Sequence, residues 1–154
     1  MTDKELAKAK NIVFRLLNLR SRSEKEIKDK LKHKKIHPAV IDQVIRHFKQ
    51  LALIDDRKFA QSWISYRLAR PWGIQRIEIE LKEKGINSEI IRKELKENFN
   101  QAVESKTVLE LAKKRVSKYP TLAPEKKKQR LFNYLTRRGF SLTSIYQALK
   151  QYDQ

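Results

Sequence analysis

The sequence predicts an all-α protein made of three tandem three-helix repeats, trihelical and helix-turn-helix-like, that form an elongated and curved body. Three observations lead to this prediction. The chain of 154 residues contains only three Gly and four Pro, so few positions interrupt regular structure. Apolar residues recur at spacings of three and four, which is typical of amphipathic helices, and no segment alternates in the manner of a strand. The apolar pattern then returns twice, about every 50 residues, as in repeat proteins whose units contact mainly their neighbours.

Constant sequence offsets define the repeats. An offset of 50 places Leu31 on Leu81, and an offset of 54 carries Leu81 to Leu135 and Gly85 to Gly139. Each repeat then holds three apolar helical stretches joined by short polar turns. We therefore expect three domains, at residues 1–53, 54–100 and 101–154.

The first repeat shows where its helices begin. Apolar residues at helical spacing predict a first helix over residues 6–17. Ser23 and Glu26 have the spacing of a capping box, which starts the second helix. His37 stands directly before Pro38, and because proline is favoured at the first helical position, the third helix is expected to begin there.

The second repeat begins with an aromatic helix. Phe59, Trp63 and Tyr66 lie at helical spacing, and we expect all three to face the core. Either Asp55 or Asp56 is expected to cap this helix, because a carboxylate at the N-cap accepts hydrogen bonds from otherwise unpaired N–H groups.

The turn between the second and third helices follows one pattern in all three repeats. Glycine at its first place suits a left-handed helix stop, and a polar residue at its third place suits the N-cap of the next helix. The first repeat has Lys35 at the glycine position. Because a side chain disfavours the left-handed region, we expect this turn to be looser or differently shaped. The three turns are Lys35-Ile36-His37, Gly85-Ile86-Asn87 and Gly139-Phe140-Ser141.

The composition argues against several classes of protein. The chain has no Cys, which removes disulfides, thiolate catalysis and cysteine-based metal sites and fits a reducing compartment. No apolar stretch approaches the ~20 residues of a membrane span, and the N-terminus lacks the apolar region of an export signal. We therefore expect a cytoplasmic protein that is not associated with a membrane.

The motifs of common enzymes are also missing from the sequence. It contains no GxxxxGK or GxGxxG phosphate loop and no GxSxG nucleophile motif. His33 and His37 have the spacing of a helical metal pair, but the predicted turn falls between them. Asp55 and Asp56 are explained more simply as helix caps than as a magnesium site. We expect no catalytic residues, no metal and no cofactor, and hence a protein that is not an enzyme.

Charge is the strongest functional signal. The chain has 36 Lys and Arg against 18 Asp and Glu, a formal net charge of +18. The first repeat carries 14 basic and 6 acidic residues, the second 10 and 8, and the third 12 and 4, so their net charges are +8, +2 and +8. Two cationic repeats can bind one polyanion, with a strong dependence on salt because each neutralised phosphate releases counterions.

The positive charge is concentrated on and before the middle helix of the first and third repeats. The outward positions of the third helices are mixed or nearly neutral, which favours phosphate contact over base reading by a helix-turn-helix. Trp72 lies beside Pro71 and Gly73 and is a candidate for stacking or for contact with a partner. The predicted contact residues are Arg20, Arg22, Lys25, Lys28, Lys32, Arg70, Trp72, Arg76, Lys126, Lys127, Lys128, Arg130, Arg137 and Arg138.

Three stretches of the chain are similar to the signatures of one known family. The first comprises residues 20–24 with Glu26, Ile27 and Leu31. The central stretch comprises residues 54–60 and 84–86 with Arg67, Gly73, Arg76, Ile77, Glu80 and Leu81. The last comprises residues 137–141 with Arg130, Leu135, Ile145 and Leu149. Together they resemble the RecX family of regulatory proteins over essentially the whole chain, except that Lys35 and Ala52 stand where members usually have Gly.

This resemblance implies a function. Members of the family are non-enzymatic modulators that bind the RecA nucleoprotein filament and restrain its ATP hydrolysis, strand exchange and coprotease activity. They thereby modulate recombination, DNA repair and the SOS response. The resemblance implies either binding in the groove of the filament or blocking of its growth at one end. We expect a monomer that contacts single- or double-stranded DNA through phosphates.

Two alternatives remain open at the level of the sequence. A stand-alone DNA- or RNA-binding protein without sequence preference explains the net charge of +18 equally well. A small nuclease or tyrosine recombinase would also be basic, but the sequence offers no convincing set of active-site partners.

Overall fold

The computed structural model describes residues 2–153 and shows nine α-helices and one short 3-10 helix within them. No strand occurs in this part of the chain. The prediction of an all-α protein with three groups of three helices is therefore confirmed. The helices are α1 (Asp3–Leu19), α2 (Glu24–His33), α3 (Pro38–Gln50), α4 (Asp56–Leu68), α5 (Ile74–Glu83), α6 (Ser88–Asn98), α7 (Gln101–Val116), α8 (Pro124–Arg137) and α9 (Leu142–Leu149), with the 3-10 helix at Lys150–Tyr152.

The predicted helix starts have the expected hydrogen bonds. Ser23 and Glu26 form a complete capping box at the start of α2. His37 caps α3 by accepting a hydrogen bond through Nδ1 from the N–H of Ala39, at 3.2 Å. Asn87 and Ser141 accept N–H hydrogen bonds in the same way at the starts of α6 and α9.

The two neighbouring aspartates cap two different helices. Asp55 Oδ1 accepts a hydrogen bond from the N–H of Lys58 at 3.1 Å, so Asp55 is the residue that caps α4. Asp56 Oδ1 accepts from the N–H of Glu24 at 2.8 Å, at the start of α2. Burial raises the pKa of the Asp56 carboxyl in spite of this hydrogen bond. The sequence left the choice between the two open, because it does not show that α2 and α4 begin side by side.

The expectation of a different first turn is wrong. Lys35 has a φ of 59°, against 76° for Gly85 and 82° for Gly139, so all three residues are left-handed. In each turn this residue donates its N–H to the carbonyl three positions back, at 2.8 to 2.9 Å, and the next residue donates to the carbonyl five positions back, at 3.1 to 3.3 Å. Ala52, with a φ of 55°, ends α3 with the same pair of hydrogen bonds. The paired hydrogen bonds and the buried apolar residue that follows Lys35 outweigh the strain of about 1–2 kcal/mol.

A glutamate in the first helix supports the third helix of the same group in two places. Glu5 on α1 accepts a hydrogen bond from the N–H of His37, at 2.9 Å. Glu104 on α7 accepts from the N–H of Ser141 at 3.3 Å and from its hydroxyl at 2.6 Å. A carboxylate is favourable at both places because it faces the positive end of a helix dipole.

The described residues form two compact units. The first takes in the chain through Ser62 together with Leu81–Ile91, and the second takes in Trp63–Glu80 together with the chain from Arg92 onward. Helices α4, α5 and α6 therefore each contribute residues to both units. The repeats at residues 1–53, 54–100 and 101–154 divide the sequence pattern, whereas the two units divide the contacts.

Each unit has its own apolar core. The core of the first unit includes Ala9, Val13, Ile27, Leu31, Ile36, Val40, Ile41, Val44, Ile45, Phe48 and Ile54. The core of the second unit includes Val108, Ala112, Leu131, Leu135, Phe140, Ile145 and Ala148. Phe59 is buried as predicted, but Tyr66 is 50% exposed, so the expectation that it faces the core is wrong. No helix within residues 2–153 has both the length and the apolar character to cross a lipid bilayer.

Candidate nucleic-acid interface

Three arginines surround one tryptophan in the second unit. The guanidinium carbon of Arg138 lies 4.6 Å from the ring centroid of Trp72, and those of Arg67 and Arg76 lie 5.2 and 5.9 Å from it. These distances fall within the ~6 Å range of a cation–π interaction. Trp72 is half-buried rather than openly exposed. We call Arg67, Trp72, Arg76, Arg138 and the carboxylate of Glu80 the arginine–tryptophan cluster.

Direct backbone contact holds this cluster together. The N–H of Gly73 donates to the carbonyl of Arg138 at 2.9 Å, and the N–H of Gln75 donates to the carbonyl of Gly139 at 3.0 Å. A Cβ atom on Gly73 would lie only 2.1 Å from the carbonyl carbon of Gly139, so only glycine permits this approach. Arg138 also donates through Nη1 to the carbonyl of Pro71, at 3.4 Å. The start of α5 is thereby joined to the end of α8.

Glu80 neutralises only part of the charge of the cluster. Its buried carboxylate accepts hydrogen bonds from Nε and Nη2 of Arg67, both at 2.8 Å, and from Nε1 of Trp63 at 2.9 Å. Arg76 Nε lies at 3.4 Å from the same carboxylate. Arg138 has no ion pair with any acidic residue within residues 2–153. Three positive groups against one carboxylate leave the cluster with a net charge of +2.

The cluster is suited to bind anions. Guanidinium groups are weakly hydrated and stack on aromatic rings, which leaves their N–H edges available for bidentate hydrogen bonds to phosphate. Arg70 and Arg137 add exposed positive charge to the same unit. The guanidinium of Arg70 lies 3.9 Å from the ring centroid of Tyr66.

The predicted contact residues of the first repeat are mostly engaged within the protein. Arg20 donates to both carboxylate oxygens of Glu26, and Lys28 pairs with Glu24 at 2.7 Å. Lys25 Nζ donates to the carbonyl of Glu83 at 2.9 Å. The remaining two are Lys32, which is exposed, and Arg22, which is half-buried. Much of the positive charge predicted to bind a partner is thus used for contacts within the protein.

The joint between α2 and the end of α5 lies in the first unit and centres on Glu26. The carboxylate accepts hydrogen bonds from Arg20, from Lys84 at 2.9 Å and from the N–H of Ser23 at 3.0 Å. Burial opposes the charge of Glu26, but these hydrogen bonds outweigh burial and lower its pKa to about 2. A Cβ atom on Gly85 would lie 2.7 Å from the side chain of Lys25.

The predicted contact residues of the third repeat form a looser group on α8. Lys126 is exposed and Lys127 is half-buried, and neither pairs with an acidic group in the described part of the chain. Lys128 forms an ion pair with Asp153, whose hydrogen bond raises the pKa of the lysine. The guanidinium of Arg130 lies 5.1 Å from the ring centroid of Tyr119.

Sequence reasoning missed a second basic surface, which lies in the first unit. Lys4, Lys8 and Arg15 line one side of α1, and Lys34 lies beside them across a shallow groove. The apolar side chains of this groove include Leu19, which is 79% exposed. The helical spacing of the three α1 residues was the available signal, and the larger basic runs nearer the middle helices obscured it.

No group of three or more His, Cys, Asp and Glu side chains among residues 2–153 is arranged to hold a metal ion.

Comparison with protein families and with known proteins assigns the chain to a family. The models for the first, second and third three-helix domains of RecX match residues 9–48, 55–95 and 103–149. A regulatory protein RecX from Chlorobium phaeobacteroides is 36% identical over 154 residues, covering 98% of this chain and 97% of the relative. A regulatory protein RecX from Bacillus licheniformis is 34% identical over 139 residues, covering 89% of this chain and 52% of the relative.

Solved structures agree with this assignment. The crystal structure of RecX from Lactobacillus salivarius superposes with a TM-score of 0.87 at 25% identity, covering 99% of both chains. A second crystal structure of a regulatory protein RecX gives a TM-score of 0.84 at 26% identity, covering 96% of this chain and 72% of that one. The chain therefore belongs to the RecX family of regulatory proteins.

Proposed function

We propose that this protein binds the RecA nucleoprotein filament and restrains its ATPase, strand-exchange and coprotease activities. It would thereby modulate recombination, DNA repair and the SOS response. Membership of a family whose named relatives are regulatory proteins supports the regulatory role. The proposal describes a cytoplasmic monomer that is not an enzyme and needs no cofactor.

The arginine–tryptophan cluster is the observation that carries the proposal. Its net charge of +2 is held in place by an aromatic ring and by backbone hydrogen bonds, so little side-chain entropy is lost when it meets a phosphate. The contacts offered are to the phosphate backbone and carry no base sequence information. This suits a ligand such as a DNA-containing filament, whose base sequence varies along its length.

The ATPase activity of RecA tests the proposal. Purified protein added to RecA, single-stranded DNA and ATP should depress hydrolysis at substoichiometric amounts. The double variant Arg76→Gln/Arg138→Gln should need about tenfold more protein for the same effect, because it loses charge-assisted contacts of about 1.4 kcal/mol in total. The matched control Lys113→Gln/Lys114→Gln removes two exposed charges from α7 and should act like the wild type. Unchanged hydrolysis at equimolar wild-type protein would refute the proposal.

A stand-alone nucleic-acid-binding protein is the second candidate, favoured by the net charge of +18 alone. The two functions differ in what RecA adds to binding. The proposed function requires tighter binding to a RecA–DNA filament than to the same bare DNA at equal salt. Equal affinity for both would favour the second candidate.

A further inference from the structure

A small half-open cavity lies next to the arginine–tryptophan cluster in the second unit. Its volume is about 160 Å³, and its lining includes Trp72, Phe99 and Phe140. Sites for drug-sized ligands occupy roughly 300–1,000 Å³, so this cavity is suited to a single ring system rather than to a larger molecule. Val103 lines the cavity and is 61% exposed, so the cavity is open to solvent at this residue.

The cavity also offers hydrogen-bonding groups that the protein leaves unused. Asn98 donates through Nδ2 to the carbonyl of Glu94 at 2.7 Å, so its Oδ1 is available as an acceptor. Asn100 accepts through Oδ1 from the N–H groups at the start of α7, at 3.0 and 3.3 Å, so its Nδ2 is available as a donor. Both side chains line the cavity. Aromatic walls with one acceptor and one donor match the faces and the polar edge of a nucleobase.

The position of the cavity connects base and phosphate recognition. Trp72 belongs both to the lining of the cavity and to the arginine–tryptophan cluster. Arg70, an exposed residue, also lines the cavity. A nucleotide has a planar base joined to a phosphate, so its two parts correspond to the cavity and to the adjacent arginines. A purely apolar partner side chain would leave these arginines without a ligand.

We propose that this cavity takes one unstacked base of single-stranded nucleic acid while Arg70 and the arginine–tryptophan cluster hold the neighbouring phosphates. The inference rests on the proposed function only in using the same phosphate-binding arginines. It adds a preference for single strands, because the bases of a duplex are paired and stacked and cannot enter the cavity.

Three probes of equal length test the inference: fluorescein-labelled 15-residue oligothymidylate, an abasic 15-mer and a 15-base-pair duplex. Wild-type protein should bind oligothymidylate about tenfold more tightly than the abasic strand, because stacking adds to the phosphate contacts. The double variant Val103→Leu/Thr107→Leu narrows the cavity with aliphatic groups that cannot stack. It should bind oligothymidylate and the abasic strand equally, with the salt dependence of the wild type.

Two further variants make the result specific. Ala102→Leu adds similar bulk at an exposed position of α7 outside the cavity lining and should keep the tenfold preference. Arg76→Gln/Arg138→Gln should weaken binding of all three probes alike and flatten the salt dependence while keeping the preference. Equal wild-type affinity for oligothymidylate and the abasic strand, or a preference that survives in the narrowed and folded variant, would overturn the inference. RecA inhibition by the narrowed variant would then still support the proposed function.

Discussion

Glu26 shows how much a single side chain contributes to this fold. It completes the capping box of α2 and pairs with Arg20 and with Lys84. All of these partners stabilise the charged carboxylate, which is why its pKa falls to about 2 although burial opposes the charge. The residue therefore links the end of α1, the start of α2 and the turn after α5.

The stability of the protein should depend on pH through Glu26. Because the folded-state pKa is lowered, the contribution to stability is present above the ordinary value of 4.5 and is lost as the pH falls towards about 2. We expect Glu26→Gln to lower the free energy of unfolding at pH 7 by about 1–2 kcal/mol, after allowance for solvent screening. The difference from wild type should shrink between pH 4.5 and pH 2, as measured by urea denaturation.

A matched carboxylate controls for general charge effects. Glu110→Gln changes an exposed residue that forms no ion pair within the described chain, and it should leave the unfolding free energy within about 0.5 kcal/mol at either pH. If Glu26→Gln and Glu110→Gln proved equally stable at pH 7 and at lower pH, the ion pairs of Glu26 with Arg20 and Lys84 would contribute nothing to stability.

At the scale of the element, four helices end at a left-handed residue, which is glycine at two of these ends and a residue with a side chain at the other two. Lys35 and Ala52 adopt positive φ angles where glycine would be unstrained. The hydrogen bonds of these two turns match those of the glycine turns. The backbone therefore has the same conformation in both kinds of turn and is strained where the residue carries a side chain.

Glycine at either position should stabilise the protein. A side chain in the left-handed region costs about 1–2 kcal/mol, and substitution by glycine removes this strain. The greater conformational entropy of glycine in the unfolded chain offsets about 0.5–1 kcal/mol of the gain. Lys35→Gly and Ala52→Gly should each raise the unfolding free energy by about 0.5–1 kcal/mol in chemical denaturation. Lys34→Gly is the control, since Lys34 has a φ of −80° and glycine there should destabilise. Loss of stability in both of the first two variants would contradict the strain argument.

At the scale of the whole molecule, the contacts between repeats use one arrangement twice. In the first unit, Lys25 near the start of α2 packs on Gly85 after α5. In the second unit, Arg76 near the start of α5 packs on Gly139 after α8, where a Cβ atom would lie 2.4 Å from the backbone nitrogen of Arg76. The left-handed glycine thus ends a helix and also lets the second helix of the preceding repeat pack closely against it.

Gly73→Ala tests the joint in the second unit. The added Cβ must displace the backbone of Gly139, which should cost about 1–3 kcal/mol as overpacking does. Because Arg138 then moves away from Trp72, we also expect weaker binding of single-stranded DNA by fluorescence anisotropy. Gln75→Ala keeps the backbone donor of the same turn and should be neutral in both measurements. A Gly73→Ala variant as stable as Gln75→Ala would show that the joint is not tightly packed.

The local features of this protein follow from its amino-acid sequence. Apolar spacing and caps such as Ser23 and Ser141 depend on neighbours a few residues away, so the helices and the threefold repeat could be predicted. The net charge and its excess in the first and third repeats also follow from composition alone. The RecX resemblance rests on residues within these same elements.

The packing of the helices determines which charges remain available and which side chains meet. Lys25 reads as a surface cation in the sequence but donates a hydrogen bond to the carbonyl of Glu83, and Arg138 joins Trp72 from a distant part of the chain. No local pattern encodes these outcomes, because the first depends on the packing of α2 against the end of α5 and the second on the packing of the α8 turn against the start of α5. Burial, pairing and aromatic contact are properties of that packing, and they convert a general excess of positive charge into a defined candidate site.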